Sequence, residues 1–355
     1  GSQGFDPVCT RQVGDLVNTK GETMHYLGID VSKAKLDCCL LLDVATHKHK
    51  TKSVPNTQAG FTELLIWIIK HQIHLTQTHV VMEGTGVYHE QAALTLHEGG
   101  LLVSIINPAQ VRDFARGLAI RTNNDLVDSL VLARYGALLQ PAVWIPPTPQ
   151  ARALQALIAR ADAIKQDLRR ELNRKEKADV ARAPALICES LNDSIAFLQK
   201  QLKKLQQDID DHINQHPELK DDVVLLTSIP GIGSQTSQHL LSVMHLHRFD
   251  NAERLASYLG IVPVERQSGT SLHGRPHMSK AGPAHVRAVL YMAAIVAIRH
   301  NPHVKAHYER LIAAGKSKMS ALGAAMRKLV HLCFGVLKSR QPYQANYGLQ
   351  ETCKP

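Results

Sequence analysis

Leu27-Gly28-Ile29-Asp30-Val31-Ser32 ends a short apolar run on a carboxylate, and Lys33 separates it from a second apolar run, Leu36 to Leu42. Runs this short do not separate a buried strand from a buried helix by period. Their β-branched content and the turn-like Val31-Ser32-Lys33 break favour two strands of a hairpin. A carboxylate on a central strand is costly to bury unless a cation or donor meets it. Asp30 therefore asks for a partner, with a metal ion as the leading candidate; the plainer reading is a strand-end Asp capping its own turn.

Outward from this stretch, residues 24–107 alternate strand-like and helix-like segments. Strands are expected at His25–Val31, Leu36–Leu42, His49–Val54, His79–Glu83 and Leu101–Ile106, and helices at Thr57–His71 and Val87–His97. Phe61, Leu64, Leu65, Ile68 and Ile69 give the first helix one buried face. The order β-β-β-α-β-α predicts a mixed sheet covered by helices on both faces.

Two further acidic positions stand out on that frame. Glu83 ends a strand and is followed by Gly84-Thr85-Gly86, where open α/β sheets bind ligands. Asn124-Asp125-Leu126-Val127-Asp128 opens a helix expected to reach about Leu139, and Asp125 and Asp128, three apart, face the same way. Acidic residues in a first turn also simply complement the helix dipole. Together, Asp30, Glu83, Asp125 and Asp128 make an oxygen-rich set of the type that holds Mg²⁺.

The net charge of the 355-residue chain is +10, and 44% of its residues are hydrophobic, which supports globular folding in two or three domains. Between Val223 and Arg340, fifteen Lys and Arg face four Asp and Glu, so the excess lies in the C-terminal third and points to a polyanion. The six Cys show no metal-ligand spacing and read as reduced thiols of a cytoplasmic protein. No membrane span or signal peptide is expected. Residues 1–23 have no apolar period and read as a flexible lead, with Gly1-Ser2 a cloning remnant.

Pro146-Pro147-Thr148-Pro149 closes the first domain, expected at 24–147. A region at 148–222 follows as two amphipathic helices broken at Pro184, with Leu154, Ile158, Ile164 and Leu168 in the first and Leu191, Ile195, Leu198 and Leu202 in the second. They read as a long coiled-coil hairpin or half of an intermolecular bundle. Arg169, Arg170, Arg174, Lys175 and Lys177 are either nucleic-acid contacts or a solvated face. The third domain, 223–342, is expected to be mostly helical, and 343–355 is a tail. Its Ile229-Pro230-Gly231-Ile232-Gly233 between apolar helices is a helix-hairpin-helix signature, in which Gly231 and Gly233 let backbone N–H groups approach a phosphate; the plainer reading is a tight turn. Glu265 to Gly282 reads as a polar loop holding Ser268 among Arg266, Arg275 and Lys280. A Ser-Gly pair is by itself a turn signal. Lys316, Lys318, Arg327 and Lys328 on a final helix pair are phosphate-contact candidates.

Tyr26-Leu27-Gly28-Ile29-Asp30, Glu83-Gly84-Thr85-Gly86-Val87-Tyr88, Ile106-Asn107-Pro108 and Asn124–Asp128 occur in one order with Ser228–Gly233, Ser268–Ser271 and Met278–Gly282. In that order the chain resembles the DEDD-type insertion-sequence transposases, the family understood as bridge-RNA-guided recombinases, over residues 24 to about 342. It departs at Asn123-Asn124, where members often carry Lys-Thr, and at Ser129, where they carry Ala.

The resemblance implies an α/β plus α protein: a ribonuclease-H/RuvC-like sheet domain, an oligomerisation arm and a serine transposase domain. It also implies that Asp30, Glu83, Asp125 and Asp128 bind two Mg²⁺ ions and that Ser268 attacks a DNA phosphodiester to form a phosphoserine link. The implied partners are donor and target DNA, a guide RNA encoded beside the gene, and further copies of the chain, as a dimer or tetramer on DNA. The expected setting is the prokaryotic cytoplasm, with the protein on the nucleoid when active. A RuvC-like structure-selective nuclease would use the same acids with water as nucleophile. A sugar-kinase or actin-type ATPase needs a better glycine-rich phosphate loop than Glu83–Gly86, and a non-catalytic DNA-binding protein leaves the four carboxylates without a role.

Overall fold

The computed structural model describes residues 24–46, 48–84, 86–118, 125–264, 267–268, 272–273, 277–280 and 282–346; at 125–127, 267–268 and 272–273 it describes the backbone. The chain divides into two compact units, the first ending at Pro146 and the second beginning at Pro147.

The first unit begins with β1 (His25–Val31), β2 (Lys35–Leu41) and β3 (His49–Pro55), joined as an antiparallel meander. Ser32 shapes the first turn: its Oγ donates to the Lys35 carbonyl at 2.9 Å and accepts from the Lys35 N–H at 3.1 Å. Then come α1 (Gln58–Lys70), β4 (Thr78–Glu83), α2 (Glu90–Glu98), β5 (Leu102–Ile106), α3 (Pro108–Gly117) and α4 (Asp125–Leu139). The five strands lie in the order β3-β2-β1-β4-β5, with β4 parallel to both β1 and β5. The mixed sheet expected from the sequence is therefore present. Most element ends shift by a single residue, α2 starts at Glu90 rather than Val87, and α3 was not expected. Asn107 caps α3 by accepting from the Ala109 N–H at 2.8 Å, and Pro108 occupies its first turn, where no amide partner is needed.

Strand alternation gives the sheet two different faces. Leu27, Ile29, Val80 and Met82 pack with Phe61 and Leu64 of α1 and Leu96 of α2. The other face carries Tyr26, Gly28 and Val81 and is covered by α4. A Cβ on Gly28 would lie 1.9 Å from the Ser129 carbonyl oxygen and 2.4 Å from the Ala133 nitrogen, so only glycine lets the helix sit this close. A Cβ on Gly136 would lie 3.0 Å from Tyr26 Cδ1. Position 136 thus lies over Tyr26 and position 129 over Gly28. Helix α4 runs antiparallel to β1, and its amino end points toward the Asp30 end of the strand.

The second unit opens with α5 (Pro149–Val180) and α6 (Ala185–Gln215), a long helical hairpin. It continues through α7 (Pro217–Thr227), which spans the expected junction at 222–223, α8 (Ser234–Leu246) and α9 (Ala252–Tyr258). Four two-residue strands follow: β6 (Pro263–Val264), β7 (Gln267–Ser268), β8 (Leu272–His273) and β9 (His277–Met278). Here the expected polar loop is replaced by a ribbon, with β6 antiparallel to β9 and β7 antiparallel to β8, which pairs backbone groups that a loop would leave to water. The chain ends in α10 (Ala284–His300), α11 (Pro302–Ala313) and α12 (Lys318–Ser339).

The base of the helical hairpin, through Leu154, Ile158, Ile209 and Ile213, shares one core with α7, α8, α10 and α12. Farther out, Leu172, Val180, Leu186 and Phe197 are exposed. By length and composition α12 is apolar enough to cross a membrane, an exception to the sequence expectation. Eight of its residues, from Ala321 to Val336, are nevertheless buried, and Arg327 and Lys328 interrupt its middle.

Two polar joints fasten this core. Asn301, 0% exposed, accepts through Oδ1 from the His303 and Val304 N–H groups at 3.1 and 3.2 Å and from the Tyr343 hydroxyl at 3.0 Å. Its Nδ2 donates to the Pro230 carbonyl at 3.3 Å. Asp222 of α7 meets His245 of α8 at 2.8 Å and also Arg340.

Candidate active site

The strand register builds the acidic site. Ile29 and Met82 are the last paired residues of parallel β1 and β4, so Asp30 and Glu83 stand next at neighbouring strand ends. Two residues on from Gly28 and Val81, both lie on the α4 face. Because α4 runs antiparallel to β1, its first turn, with Asp125 and Asp128, comes to the same end. The Asp125 side chain lies outside the described residues.

Two charges act on the Glu83 carboxyl, one of each sign. Burial pushes the Glu83 carboxyl above its ordinary value, the Arg112 guanidinium of α3 pulls it down, and the Asp128 charge pushes it up again. The Asp128 side chain is half-buried. Among the described residues no group of three His, Cys, Asp or Glu stands close enough to hold a metal ion. The donor chemistry itself, carboxylate oxygen throughout, suits Mg²⁺, and the raised Glu83 carboxyl is a group whose burial a cation would relieve.

Two site neighbours escaped sequence reasoning. Asp37 is the cross-strand partner of Asp30, is 5% exposed, and is paired with Lys35 at 2.8 Å. The hairpin turn at Ser32 was the available signal, since pairing outward from it sets residue 37 opposite residue 30. Arg112 is placed by α3, whose Asn-Pro start was visible in the sequence.

In the second unit, Gly231 adopts φ +103°, and a Cβ there would lie 2.7 Å from the Ala297 Cβ, so its bare backbone rests on α10. Gly233 precedes α8 with no side-chain cap, is exposed, and has nothing within 4 Å of a Cβ position. Lys280, Lys316 and Lys318 are exposed, whereas Arg327 and Lys328 are half-buried on α12. His307 is held below its ordinary value by burial first and then by Arg310, Lys328 and Arg327. Burial, Arg327 and Lys328 do the same to His331, against the opposing pull of Glu253. The α11–α12 face is thus a basic patch. The Ser268 backbone pairs with Leu272 in the ribbon, and its side chain lies outside the described residues, as do Arg266 and Arg275.

The family described as "Transposase IS116/IS110/IS902 family" matches residues 223–309, and a DEDD transposase family of the IS110 group matches residues 27–178. The pilin gene-inverting protein of Moraxella bovis is 33% identical over 320 residues, which are 90% of this chain and 97% of that protein. An insertion element IS110 protein of Streptomyces coelicolor is 29% identical over 161 residues, 45% of this chain and 38% of that protein. Among solved structures, Thermus thermophilus RuvC in complex with a Holliday junction substrate is 17% identical with a TM-score of 0.24, over 32% of this chain and 92% of that one.

Proposed function

From the premise that the chain belongs to the IS116/IS110/IS902 transposase family, and so is a DNA recombination enzyme, we propose that it cuts and rejoins DNA through a covalent phosphoserine intermediate. The observation that supports its metal-assisted part is the convergence of Asp30, Glu83 and the first turn of α4 at one end of the sheet, and the serine step rests on the resemblance. Asp30, Glu83, Asp125 and Asp128 would hold two Mg²⁺ ions; when bound, Mg²⁺ supplies positive charge that polarises a phosphate and steadies a leaving oxygen. Ser268 gives up its hydroxyl proton and forms an Oγ–P bond as the P–O bond to the departing strand breaks. The departing strand leaves with a free hydroxyl, and the reverse attack by a hydroxyl end releases the serine. Bond number is conserved throughout, so rejoining needs no external energy source.

The remaining parts of the chain supply grip and assembly. The ribonuclease-H-like reading is supported by the sheet order with its antiparallel β2. Gly233, open at the amino end of α8, and the basic patch of Arg327 and Lys328 suit sugar-phosphate backbones, whether DNA or an element-encoded guide RNA. The α7-turn-α8 segment acts as a helix-hairpin-helix. The α5–α6 hairpin acts as a coiled-coil arm that joins copies into a dimer or tetramer, because its outer Leu186 and Phe197 are exposed at 74% and 61%.

The test is a covalent-adduct assay in cells carrying the gene with its native flanking DNA, comparing wild type with Ser268→Ala and Asp125→Asn. The expected result is DNA linked at Ser268 in wild type and in neither variant. Free ends without adduct, and unchanged cutting by Ser268→Ala, would instead establish a hydrolytic nuclease that uses the same acids with water.

A further inference from the structure

We infer that Arg112 grips the DNA phosphodiester on which the acidic site acts, an assignment that rests on the placement of that site at Asp30, Glu83 and Asp128. The geometry begins one strand away. Glu83 pairs with Ile106, the last residue of β5, and the chain passes through the Asn107 cap directly into α3. Arg112 therefore stands just over one helical turn from the strand end beside Glu83.

The direction of Arg112 is fixed by its neighbours. Val111 is buried with Val81, Val131 and Leu132, and Phe114 meets Tyr135 of α4 edge-on at 5.1 Å between ring centres. With these two residues facing α4 and the sheet, Arg112 is left exposed on the flank of α3. Its helix companion Arg116 is engaged by Asp113 at 3.6 Å on the solvent side. Arg112 instead has Glu83 as its electrostatic neighbour.

A guanidinium carries five donors in a planar fork, more than one nearby carboxylate uses, and that fork matches two non-bridging phosphate oxygens. Negative charge grows on those oxygens as phosphorus is attacked, so donors already aimed at them favour the transition state over the ground state. The carboxylates alone would repel a phosphodiester. Arg112 is a cation that this chain itself brings to the edge of that negative field, whereas Lys35 is taken up by Asp37.

The experiment measures protein-linked DNA in cells carrying the gene with its native flanks, for wild type, Arg112→Gln, Arg112→Lys, Arg116→Gln and Asp30→Asn. Protein occupancy on the same flanks is measured by crosslinking, and melting of each purified variant is recorded. Arg112→Gln is expected to lower adduct yield at least tenfold with occupancy within twofold of wild type and an unchanged melting temperature. Arg112→Lys should recover part of the yield, and Arg116→Gln should match wild type. Wild-type yield from Arg112→Gln, with Asp30→Asn silent, would overturn the assignment and leave the acidic site standing. So would an equal loss in Arg112→Gln and Arg112→Lys accompanied by a lowered melting temperature. Wild-type yield from Asp30→Asn would overturn the acidic-site reading beneath it.

Discussion

Gly28 of β1 and Ser129 of α4 touch backbone to backbone, with room for no side chain between them: a Cβ on Gly28 would lie 1.9 Å from the Ser129 carbonyl oxygen. This contact sets the height of α4 above the sheet, and with it the position of Asp128 relative to Asp30. Replacing Gly28 by Ala forces strand and helix apart. The expected cost is about 3 kcal/mol, at the upper end for overpacking. It would be read as a fall of roughly 10 °C in the melting of the first unit, with loss of DNA cutting even below the new midpoint.

Glu83 gives a pH signature of opposite sign to most carboxylates. Burial, joined by Asp128 and opposed by Arg112, raises its folded-state value above the unfolded one. Its ionised form is thus penalised by folding, and the penalty disappears as pH falls through the raised value. Glu83→Gln should therefore melt higher than wild type at pH 7, and the difference should vanish on acidification. Added Mg²⁺ should stabilise wild type more than Glu83→Gln, which keeps three of the four carboxylates. Thermal melts at several pH values, with and without the ion, check both statements.

Asp222 behaves in the other direction. Burial alone would raise its carboxyl, but the bonds from His245 and Arg340 outweigh it and hold it below its ordinary 3.8. A lowered folded value contributes stability that is present above the unfolded value and lost as pH falls through the folded one. Asp222→Asn should cost about 2 kcal/mol at neutral pH, the scale for hydrogen bonds to charged groups. That deficit should close as pH drops below 3.8. Denaturant titrations of the two proteins at pH 7 and pH 3 would measure it.

Asn301 serves three donors and one acceptor at a fully buried position. Asn301→Ala strands those groups at once, at an expected cost of about 3 kcal/mol. Tyr343→Phe removes one donor and should cost about 1 kcal/mol. Chemical denaturation of both variants checks the ratio, and a similar loss in each would show that the joint depends on Tyr343 alone.

The first unit was legible because its strands are apolar, β-branched and bounded by turns, so His25–Val31 emerges with the limits the residues suggest. Asp30 and Glu83 were legible as carboxylates at strand ends. Asp37 was not, because an Asp within an apolar strand reads as an interruption until its register is known. Arg112 was hidden by a short helix with one buried residue, Val111, too little for a 3.6-residue period to register. The polar ribbon around Ser268 was hidden for a related reason: its two-residue strands are held by backbone pairing, which leaves no mark in side-chain pattern.

The antiparallel lie of α4 on β1 also bears on how the chain emerges from the ribosome. Asp30 is synthesised early and Asp128 late, and the helix that holds them together is complete only at Leu139. A message broken before that point yields a peptide with Asp30 and Glu83 but without the element that aligns them. Such a fragment lacks the helix that covers Tyr26 and Val81, and apolar surface left bare in this way makes partly folded chains prone to aggregate. Sequence order thus makes residues 25–139 the shortest stretch that can bring the end of β1 and the start of α4 together.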